Sequence, residues 1–325
     1  MRIASLFSGC GGGDLGIVGG FEFNGVIYPA SGDALVFAND LDKNACSTHG
    51  VNFGPGVVCG DVRDIDGSDL PEHDILVAGF PCQSFSIVGE RKGLSDPRGQ
   101  LFFEMVRLLE FRKPLAFIAE NVKGLLNIDS GATFDLVRST LSSLGYSVSY
   151  KLLNAADYGV PQRRERVFIV GVRRDLGVSY MFPSATHRKV GGAGLQQWVS
   201  LASVVDDDSS IDAKYFFSER AHAGLLKANR AFNKGRIQVL DQPCNTLSAH
   251  LAKVSLNGTD PVLYSGQMGK YRRFSPREAA RIQSFPETFV LPDMDSHAYR
   301  QIGNAIPPVL MWHVYTALRS MFDRL

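Results

Sequence analysis

Three side chains that could act together on an electron-poor ring follow the ends of predicted strands. Cys82 comes shortly after the apolar run Ile75–Ala78, and Glu120 directly follows Leu115–Ala119. Arg166 enters a third apolar run further along the chain. A thiolate can add to an electron-poor ring carbon. A carboxyl group can hydrogen-bond to a pyrimidine ring nitrogen and amino group, and a guanidinium can reach a phosphate or a base carbonyl. Together these groups favour nucleophilic chemistry on a ring.

Each of these residues also has a plain structural interpretation. Cys82 could be an inert buried thiol, Glu120 could cap a turn, and Arg166 could belong to a strand of surface salt bridges together with Arg164, which shares its face by alternation. The polar, glycine-rich stretch 84–99 follows Cys82 directly and is typical of a mobile lid. An inert core thiol would not need a lid, so this stretch favours the nucleophile.

A glycine-rich turn follows the first predicted strand. The run Ser8-Gly9-Cys10-Gly11-Gly12-Gly13-Asp14 would let the backbone approach a nucleotide-like ligand. It is not a clean G-x-G-x-x-G pattern, and a nicotinamide dinucleotide would fit these residues equally well. Asp40 and Asp61 follow the second and third predicted strands, where an acid can accept hydrogen bonds from ribose hydroxyls. The three features in order favour a nucleoside-containing cofactor.

The elements that must position these residues alternate between short apolar runs and amphipathic stretches, a pattern typical of βα units on a parallel sheet. We therefore predict an α/β fold. After about residue 182 the glycines, Pro183 and the run Asp206–Asp208 predict a second, small and irregular region. The predicted strands are 3–7, 35–39, 57–59, 75–78, 115–119, 148–153, 167–172, 236–240 and 253–256, with helices at 101–111 and 309–325, and 148–153 and 167–172 form a pair of edge strands.

Bulk composition excludes several classes of protein. The 325 residues are 45% hydrophobic and 21% charged, with no apolar run long enough for a membrane helix. The N-terminus lacks the apolar region of a signal peptide, so we expect a cytoplasmic protein. Five scattered cysteines without a Cys-x-x-Cys pair predict no metal site. The net charge of +1 gives no hint of a nucleic-acid partner, although arginines and lysines cluster within 163–174 and 270–281.

Six blocks in this order resemble the motifs of DNA (cytosine-5) methyltransferases of the bacterial restriction-modification type. They span nearly the whole chain. The resemblance implies a Rossmann-like S-adenosylmethionine-dependent methyltransferase sheet over residues 1–183, completed by 300–325, with a target-recognition domain and hinge over 184–299. The blocks are Phe7-Ser8-Gly9-Cys10-Gly11-Gly12, Gly79-Phe80-Pro81-Cys82-Gln83-Ser84, Glu120-Asn121-Val122, Gln162-Arg163-Arg164-Glu165-Arg166, Arg273-Phe274-Ser275-Pro276-Arg277-Glu278 and Gln301-Ile302-Gly303-Asn304.

The family resemblance implies a sequence-specific enzyme that methylates carbon 5 of a cytosine flipped out of double-stranded DNA. Cys82 would attack C6, Glu120 would contact N3 and the amino group, and Arg166 would contact the base carbonyl. S-adenosylmethionine would be the donor, S-adenosylhomocysteine the product, and no metal is expected. We expect a monomer that serves a restriction-modification system beside a separate endonuclease, or acts alone as a solitary methylase.

The remaining site residues are carried over from the family's motifs. Two departures from the family pattern are Gly13, where many relatives have a large apolar residue, and a longer segment at 24–33. The implied cofactor-binding residues are Phe7, Ser8, Gly9, Gly11, Gly12, Asp40, Leu41, Asp61, Val62, Pro81, Leu101, Asn304 and Ala305. The implied DNA-binding residues are Gln83, Arg98, Arg163, Thr246 and Leu247, the last two resembling the pair that lies where base edges are read in the major groove.

Three alternatives differ in substrate or class. One branch of the family methylates tRNA, but this chain lacks the Cys-Phe-Thr signature of that branch and has a recognition region of roughly 90 residues, a size usual for a small domain. A non-catalytic cofactor-binding regulator would be expected to have lost Cys82 or Glu120, and both are present. A nicotinamide-dependent oxidoreductase would leave Cys82, Glu120 and Arg166 without a shared purpose. DNA methylation is therefore favoured.

Overall fold

The structure is a computed structural model that describes residues 1–81, 100–227, 236–252 and 260–325. Cys82, Gln83 and Arg98 lie outside the described residues, as do the predicted lid and the predicted strand 253–256. No helix in the described ranges is long and apolar enough to cross a membrane.

The chain forms sixteen strands and eight α-helices within the described residues. The strands are β1 (Arg2–Leu6), β2 (Phe21–Phe23), β3 (Val26–Tyr28), β4 (Ala34–Asp40), β5 (Val57–Cys59), β6 (Ile75–Ala78), β7 (Ala116–Val122), β8 (Tyr146–Asn154), β9 (Gln162–Arg163), β10 (Glu165–Arg173), β11 (His187–Arg188), β12 (Gln196–Gln197), β13 (Ile237–Gln238), β14 (Cys244–Asn245), β15 (Val262–Ser265) and β16 (Lys270–Arg272). The helices are α1 (Gly12–Val18), α2 (Lys43–Phe53), α3 (Gln100–Arg112), α4 (Ala132–Ser143), α5 (Glu219–Lys227), α6 (Pro276–Ile282), α7 (Asp295–Asn304) and α8 (Pro308–Phe322).

Seven strands form a central sheet in the order β5-β4-β1-β6-β7-β10-β8. The first five are parallel, whereas β10 runs antiparallel to β7 and β8. The chain moves outward from β1 to β5 and then returns to β6 on the other side of β1. The strand order therefore reverses between β1 and β6, and in open α/β sheets ligands bind outside the carboxyl ends of the strands at such a reversal.

Helices cover both faces of the sheet. Alternate residues of a strand point to opposite faces, so Ile3 and Val77 join one buried cluster and Leu6 and Leu76 the other. The first cluster packs against α1 and α8, and the second against α3 and α4. Burial on both faces explains why these strands are continuous apolar runs in the sequence. The predicted α/β class is confirmed.

The region after residue 183 is largely irregular, as predicted. Among the residues described there, the sheet with most strands has three short ones, β13-β15-β16, and β14 pairs in parallel with β9. Apolar side chains from this region, including Leu201 and Phe274, belong to the same buried cluster as α8. Helix α6 begins with a capping box in which the side chains of Ser275 and Glu278 bond each other's backbone N–H groups.

Most sheet strands begin and end within about two residues of the predicted positions. The predicted strand 236–240 shortens to β13, and 148–153 corresponds to the edge strand β8, whereas 167–172 lies one strand inside the edge as β10. The long segment at 24–33 completes the β2–β3 hairpin and then packs on α8. There the Trp312 indole donates to the Pro29 carbonyl at 3.1 Å, and Arg319 Nε donates to Asp33 at 3.1 Å.

Candidate active site

A cavity of about 550 Å³ opens at the carboxyl edge of the sheet, where the strand order reverses. Its wall comes from the ends of β1, β4, β6 and β7 and from the segment that links α7 to α8. The structure brings together there these residues implicated by the sequence: Phe7, Ser8, Gly9, Asp40, Pro81, Glu120, Arg166, Asn304 and Ala305.

The glycine-rich turn forms one side of the cavity. Gly9 has a φ of +58° and open space where a Cβ would stand. A Cβ on Gly12 would lie 2.7 Å from the Ile306 carbonyl oxygen, so this glycine is required by close packing. Phe7 also has a positive φ of 55°, a backbone conformation that costs free energy in a residue other than glycine. The turn therefore exposes its backbone at Gly9 and is packed tightly behind it.

The Asp40 carboxylate is held in a fixed orientation at the mouth of this turn. One of its oxygens accepts a hydrogen bond from the Gly9 backbone N–H and the other from that of Asp42, both at 2.8 Å. Burial raises the pKa of Asp40, and these two backbone hydrogen bonds oppose the rise. Each carboxylate oxygen keeps a further lone pair, so Asp40 can accept hydrogen bonds from ligand hydroxyls.

A buried pair that the sequence analysis did not identify lies beneath the same turn. Asp14 lines the cavity, and its carboxylate is 2.9 Å from Nε2 of His49 on α2. Both side chains are only 2% exposed, and the His49 ring packs on Phe53. The two residues are 35 positions apart, and no short motif joins them. This pair connects α2 to the glycine-rich turn.

Glu120 and Arg166 form an ion pair on the opposite wall. Arg166 Nε is 3.1 Å from Glu120 Oε1, and the two side chains are 13% and 12% exposed. Burial raises the pKa of Glu120, while Arg166 and Arg164 partly offset the rise. A Cβ on Gly79 would lie 3.9 Å from Glu120 Oε2, which places the end of β6 beside this carboxyl group. A carboxyl group with a raised pKa can donate a proton or a hydrogen bond nearer neutral pH.

Asn121 links two of the strands that carry the site. Its buried side-chain amide donates to the Phe80 carbonyl at 2.9 Å. Phe80 stands two residues before Cys82 in the chain. Asn121 therefore fixes the backbone at the point where the chain leaves β6 toward the thiol.

Arg164 is buried between the cavity and the region after residue 183. Its guanidinium donates to the carbonyls of Leu247, Gly303 and Ala305 at 3.0–3.2 Å. Burial, together with the neighbouring Arg166, lowers the pKa of Arg164 to about 9. Its Nε has no hydrogen-bond partner within the described ranges. The sequence placed Arg164 and Arg166 on one face, and both line the cavity, but they serve different partners.

Two further contacts join the segment 244–249 to the cavity wall. Gln162 accepts a hydrogen bond from the Leu247 backbone N–H at 3.0 Å. A Cβ on Gly303 would lie 2.4 Å from the backbone of Ser248 and Ala249, which leaves no room for a side chain. The segment 244–249 is therefore packed directly against the residues that line the cavity.

The residues implicated in DNA binding differ in accessibility. Arg163 and Thr246 are exposed next to each other, and the Thr246 hydroxyl donates to the Arg163 carbonyl at 2.8 Å. Arg163 also donates to the Asn245 side chain at 2.6 Å. Leu247 is 1% exposed and belongs to the core. Of the Thr246–Leu247 pair, only the threonine side chain faces solvent.

The structure does not bring every implicated cofactor residue to the cavity wall. Leu41 is 68% exposed, and Asp61 bonds Arg63, whose hydrogen bond lowers the pKa of that carboxyl group. No cluster of three or more His, Cys, Asp or Glu side chains suited to a metal occurs in the part of the chain that the structure describes. Gly11, Gly12, Leu41, Asp61, Val62 and Leu101 lie outside the lining.

A family model and two similar curated proteins are all methylases or methyltransferases. A family model described as C-5 cytosine-specific DNA methylase matches residues 1–320. The chain is 36% identical over 311 residues to the type II methyltransferase M.SsoII of Shigella sonnei, covering 94% of this chain and 76% of that protein. It is 37% identical over 315 residues to the type II methyltransferase M.NlaX of Neisseria lactamica, covering 94% and 92%.

Solved structures match the whole fold at low sequence identity. The methyltransferase EhMeth of Entamoeba histolytica superposes with a TM-score of 0.77 and 18% identity over 99% of this chain and 98% of that one. The S. pombe Dnmt2 methyltransferase gives a TM-score of 0.75 and 18% identity over 99% of each chain. At this identity the likeness shows the fold alone.

Proposed function

Because the chain belongs to the C-5 cytosine-specific DNA methylase family, we propose that it methylates cytosine through a transient covalent bond to Cys82. The family makes it a DNA cytosine-5 methyltransferase of the type II restriction-modification kind. Covalent addition by Cys82 and extrusion of the base from the duplex are the finer parts of the proposal.

The observation that carries the proposal is the Glu120–Arg166 pair beside the end of β6. Burial raises the pKa of Glu120, so its carboxyl group can keep a proton for the pyrimidine N3. Arg166 lies 3.1 Å from that carboxyl and can donate to the base carbonyl. An acid and a cation side by side match N3 and the carbonyl oxygen, which are neighbours on one edge of the cytosine ring, and that ring becomes electron-rich when a thiolate adds.

The family and fold imply S-adenosylmethionine as cofactor, which when bound supplies a methyl group activated by its sulfonium. The residues present fit this group. Gly9 leaves open space for close backbone approach, and the Asp40 carboxylate has lone pairs for ribose hydroxyls. The volume of about 550 Å³ lies within the range of small-molecule sites. We propose that the residues lining the cavity near Gly9 and Asn304 hold it.

The chain's own residues would act in three steps. The Cys82 thiolate forms a bond to C6 of the flipped cytosine while Glu120 holds a proton at N3, so that electron density moves to carbon 5. After carbon 5 has been methylated, it loses its proton to solvent. The C5=C6 double bond then re-forms and Cys82 leaves as the thiolate. Base flipping is required because the ring carbons are not accessible in a stacked duplex.

We propose that residues 184–299 form the target-recognition domain and hinge. Arg163 and Thr246 are exposed at its junction with the cavity and would contact the DNA backbone or base edges. We expect Arg98 and Gln83, which lie outside the described residues, to contact DNA as well. Leu247 would support this surface from the core rather than touch the bases.

A thiol substitution tests the covalent step. Cys82→Ser should abolish methyl transfer and leave duplex binding largely intact, and DNA with 5-fluorocytosine should trap the wild-type protein because fluorine cannot leave as a proton. Cys59→Ser, which removes another thiol, is the matched control and should keep both activities under reducing conditions. Methylation at the wild-type rate by Cys82→Ser, or no adduct at a confirmed site, would refute the proposal. Bisulfite sequencing of a co-expressed plasmid identifies that site.

A further inference from the structure

Two cysteines that the methylation mechanism does not use flank Asp40. Cys46 is a buried residue of α2, and its thiol donates to the Asp40 backbone carbonyl at 3.3 Å. Cys59 is the last residue of β5, is exposed, and stands opposite Asp40 in the parallel pairing of β4 and β5. The cysteines are 13 positions apart in sequence but meet at one backbone position.

The two thiols contact each other beside the Asp40 carbonyl. The backbone N–H of Gly60, the neighbour of Cys59, donates at 3.0 Å to the same Asp40 carbonyl oxygen that Cys46 contacts. Burial, followed by a direct thiol contact with Cys59, raises the pKa of Cys46 to about 12. Cys46 is therefore shielded and protonated, whereas Cys59 is accessible to reagents in solution.

We propose that Cys46 and Cys59 are an oxidation site, in which a peroxide joins them by a disulfide and thereby weakens cofactor binding. The effect on the cofactor rests on the proposed contact between Asp40 and the cofactor ribose. The disulfide itself depends only on the positions of the two thiols.

The oxidation is balanced with hydrogen peroxide as the oxidant. The Cys59 thiolate attacks one peroxide oxygen, the O–O bond breaks, and Cys59 becomes a sulfenic acid as hydroxide leaves. The Cys46 sulfur then attacks the Cys59 sulfur, and the S–O bond breaks. The Cys46 proton leaves with that oxygen as water. Two thiols are oxidised, one peroxide is reduced to two waters, and thiol reagents reverse the bond.

The disulfide would act on Asp40 through its backbone. Oxidation removes the Cys46 S–H donor from the Asp40 carbonyl and pulls α2 toward β5. The carboxylate of the same residue holds Gly9 in the glycine-rich turn, so a shift at Asp40 reaches the cavity. We expect the affinity for S-adenosylmethionine to fall about five- to tenfold, the change expected for one lost hydrogen bond.

The experiment uses the full chain carrying Cys82→Ser, so that the proposed nucleophile is not itself oxidised. The protein is treated with equimolar hydrogen peroxide, digested without reduction and analysed by mass spectrometry, and S-adenosylmethionine binding is measured by calorimetry before and after. A peptide linked through Cys46 and Cys59, lighter by two hydrogens and cleaved by dithiothreitol, is expected. Cys59→Ser in the same background should form no link and keep its affinity after peroxide.

Each outcome is decisive for one part of the inference. Absence of the linked peptide overturns the oxidation site. A linked peptide with unchanged affinity overturns the effect on the cofactor. If the reduced protein does not bind S-adenosylmethionine at all, the proposed function fails, while the peptide still decides whether the two thiols join.

Discussion

Replacing Arg164 with methionine should lower the free energy of unfolding by about 2–4 kcal/mol. The guanidinium donates to three carbonyls, and within the described residues only that of Ala305, which is partly buried, has a second donor, the Gln283 side chain. In the variant, the Leu247 and Gly303 carbonyls would lose the hydrogen bonds that they accept from the guanidinium. A buried carbonyl left unpaired costs about 1–3 kcal/mol. Part of the sum of about 2–6 kcal/mol is offset because a charge no longer has to be buried.

Urea denaturation of Arg164→Met and of the matched variant Arg163→Met measures this difference. Arg163 is the next residue in the chain, but its side chain is exposed and bonds only the Asn245 side chain among the described contacts. We expect Arg163→Met to change the free energy of unfolding by less than about 1 kcal/mol, as is usual for surface positions.

The two variants should also differ in which substrate they bind more weakly. Loosening Gly303 and Ala305, which line the cavity, should raise KM for S-adenosylmethionine in Arg164→Met, whereas Arg163→Met should mainly weaken DNA binding. If Arg164→Met is destabilised by no more than Arg163→Met, or if its KM for the cofactor is unchanged, the guanidinium does not hold the cavity wall.

Three other substitutions test separate parts of the structure. Asn121→Ala should lower kcat at least about tenfold with little change in KM for the cofactor, because misplacing a reacting group costs rate; steady-state kinetics with an unchanged kcat would contradict this. Gly12→Ala should impair cofactor binding in calorimetry, since its Cβ would clash with the Ile306 carbonyl; wild-type affinity would show that the turn can shift. Burial alone would raise the pKa of Asp33, but hydrogen bonds, including one from Tyr315, lower it. A folded-state pKa below the unfolded one adds stability above about pH 4 that is lost as pH falls through the folded pKa. The gap between the urea midpoints of wild type and Asp33→Asn should therefore be largest at pH 7 and narrow as the pH falls below about 4, and a gap that stays constant with pH would exclude the ionic contribution.

The residues that meet at the carboxyl edge of the sheet could be predicted from the sequence, because the pattern that marks each strand end is local in the chain. Parallel strands buried on both faces are continuous apolar runs, and residues at their carboxyl ends meet at one edge. Asp40 and Glu120 directly end or follow such runs, and both line the cavity. The roles proposed for these residues depend on chemistry and remain predictions.

The parts that sequence analysis missed depend on long-range packing. Arg164 is buried because carbonyls 83 and 139 positions away along the chain surround it. Alternation separates Arg164 from the exposed Arg163 by face, but nothing in the segment shows which of the two faces is buried. The motif implicates Leu247 in DNA binding, and its 1% exposure likewise follows from packing that its own segment does not reveal. The β2–β3 hairpin was also missed, although Asn24-Gly25 is a strong hairpin signal.

The lack of space at Gly303 has a consequence for engineering new sequence specificity. If residues 184–299 are exchanged for those of a relative to test the proposed recognition role, the new backbone must pass Gly303 as closely as Ser248 and Ala249 do here. If the replaced residues exclude 244–249, the contact with Gly303 stays native. If the replacement includes part of 244–249, foreign backbone is placed against the cavity wall. Chimeras divided outside this segment should therefore retain cofactor binding even when they no longer recognise the original DNA site.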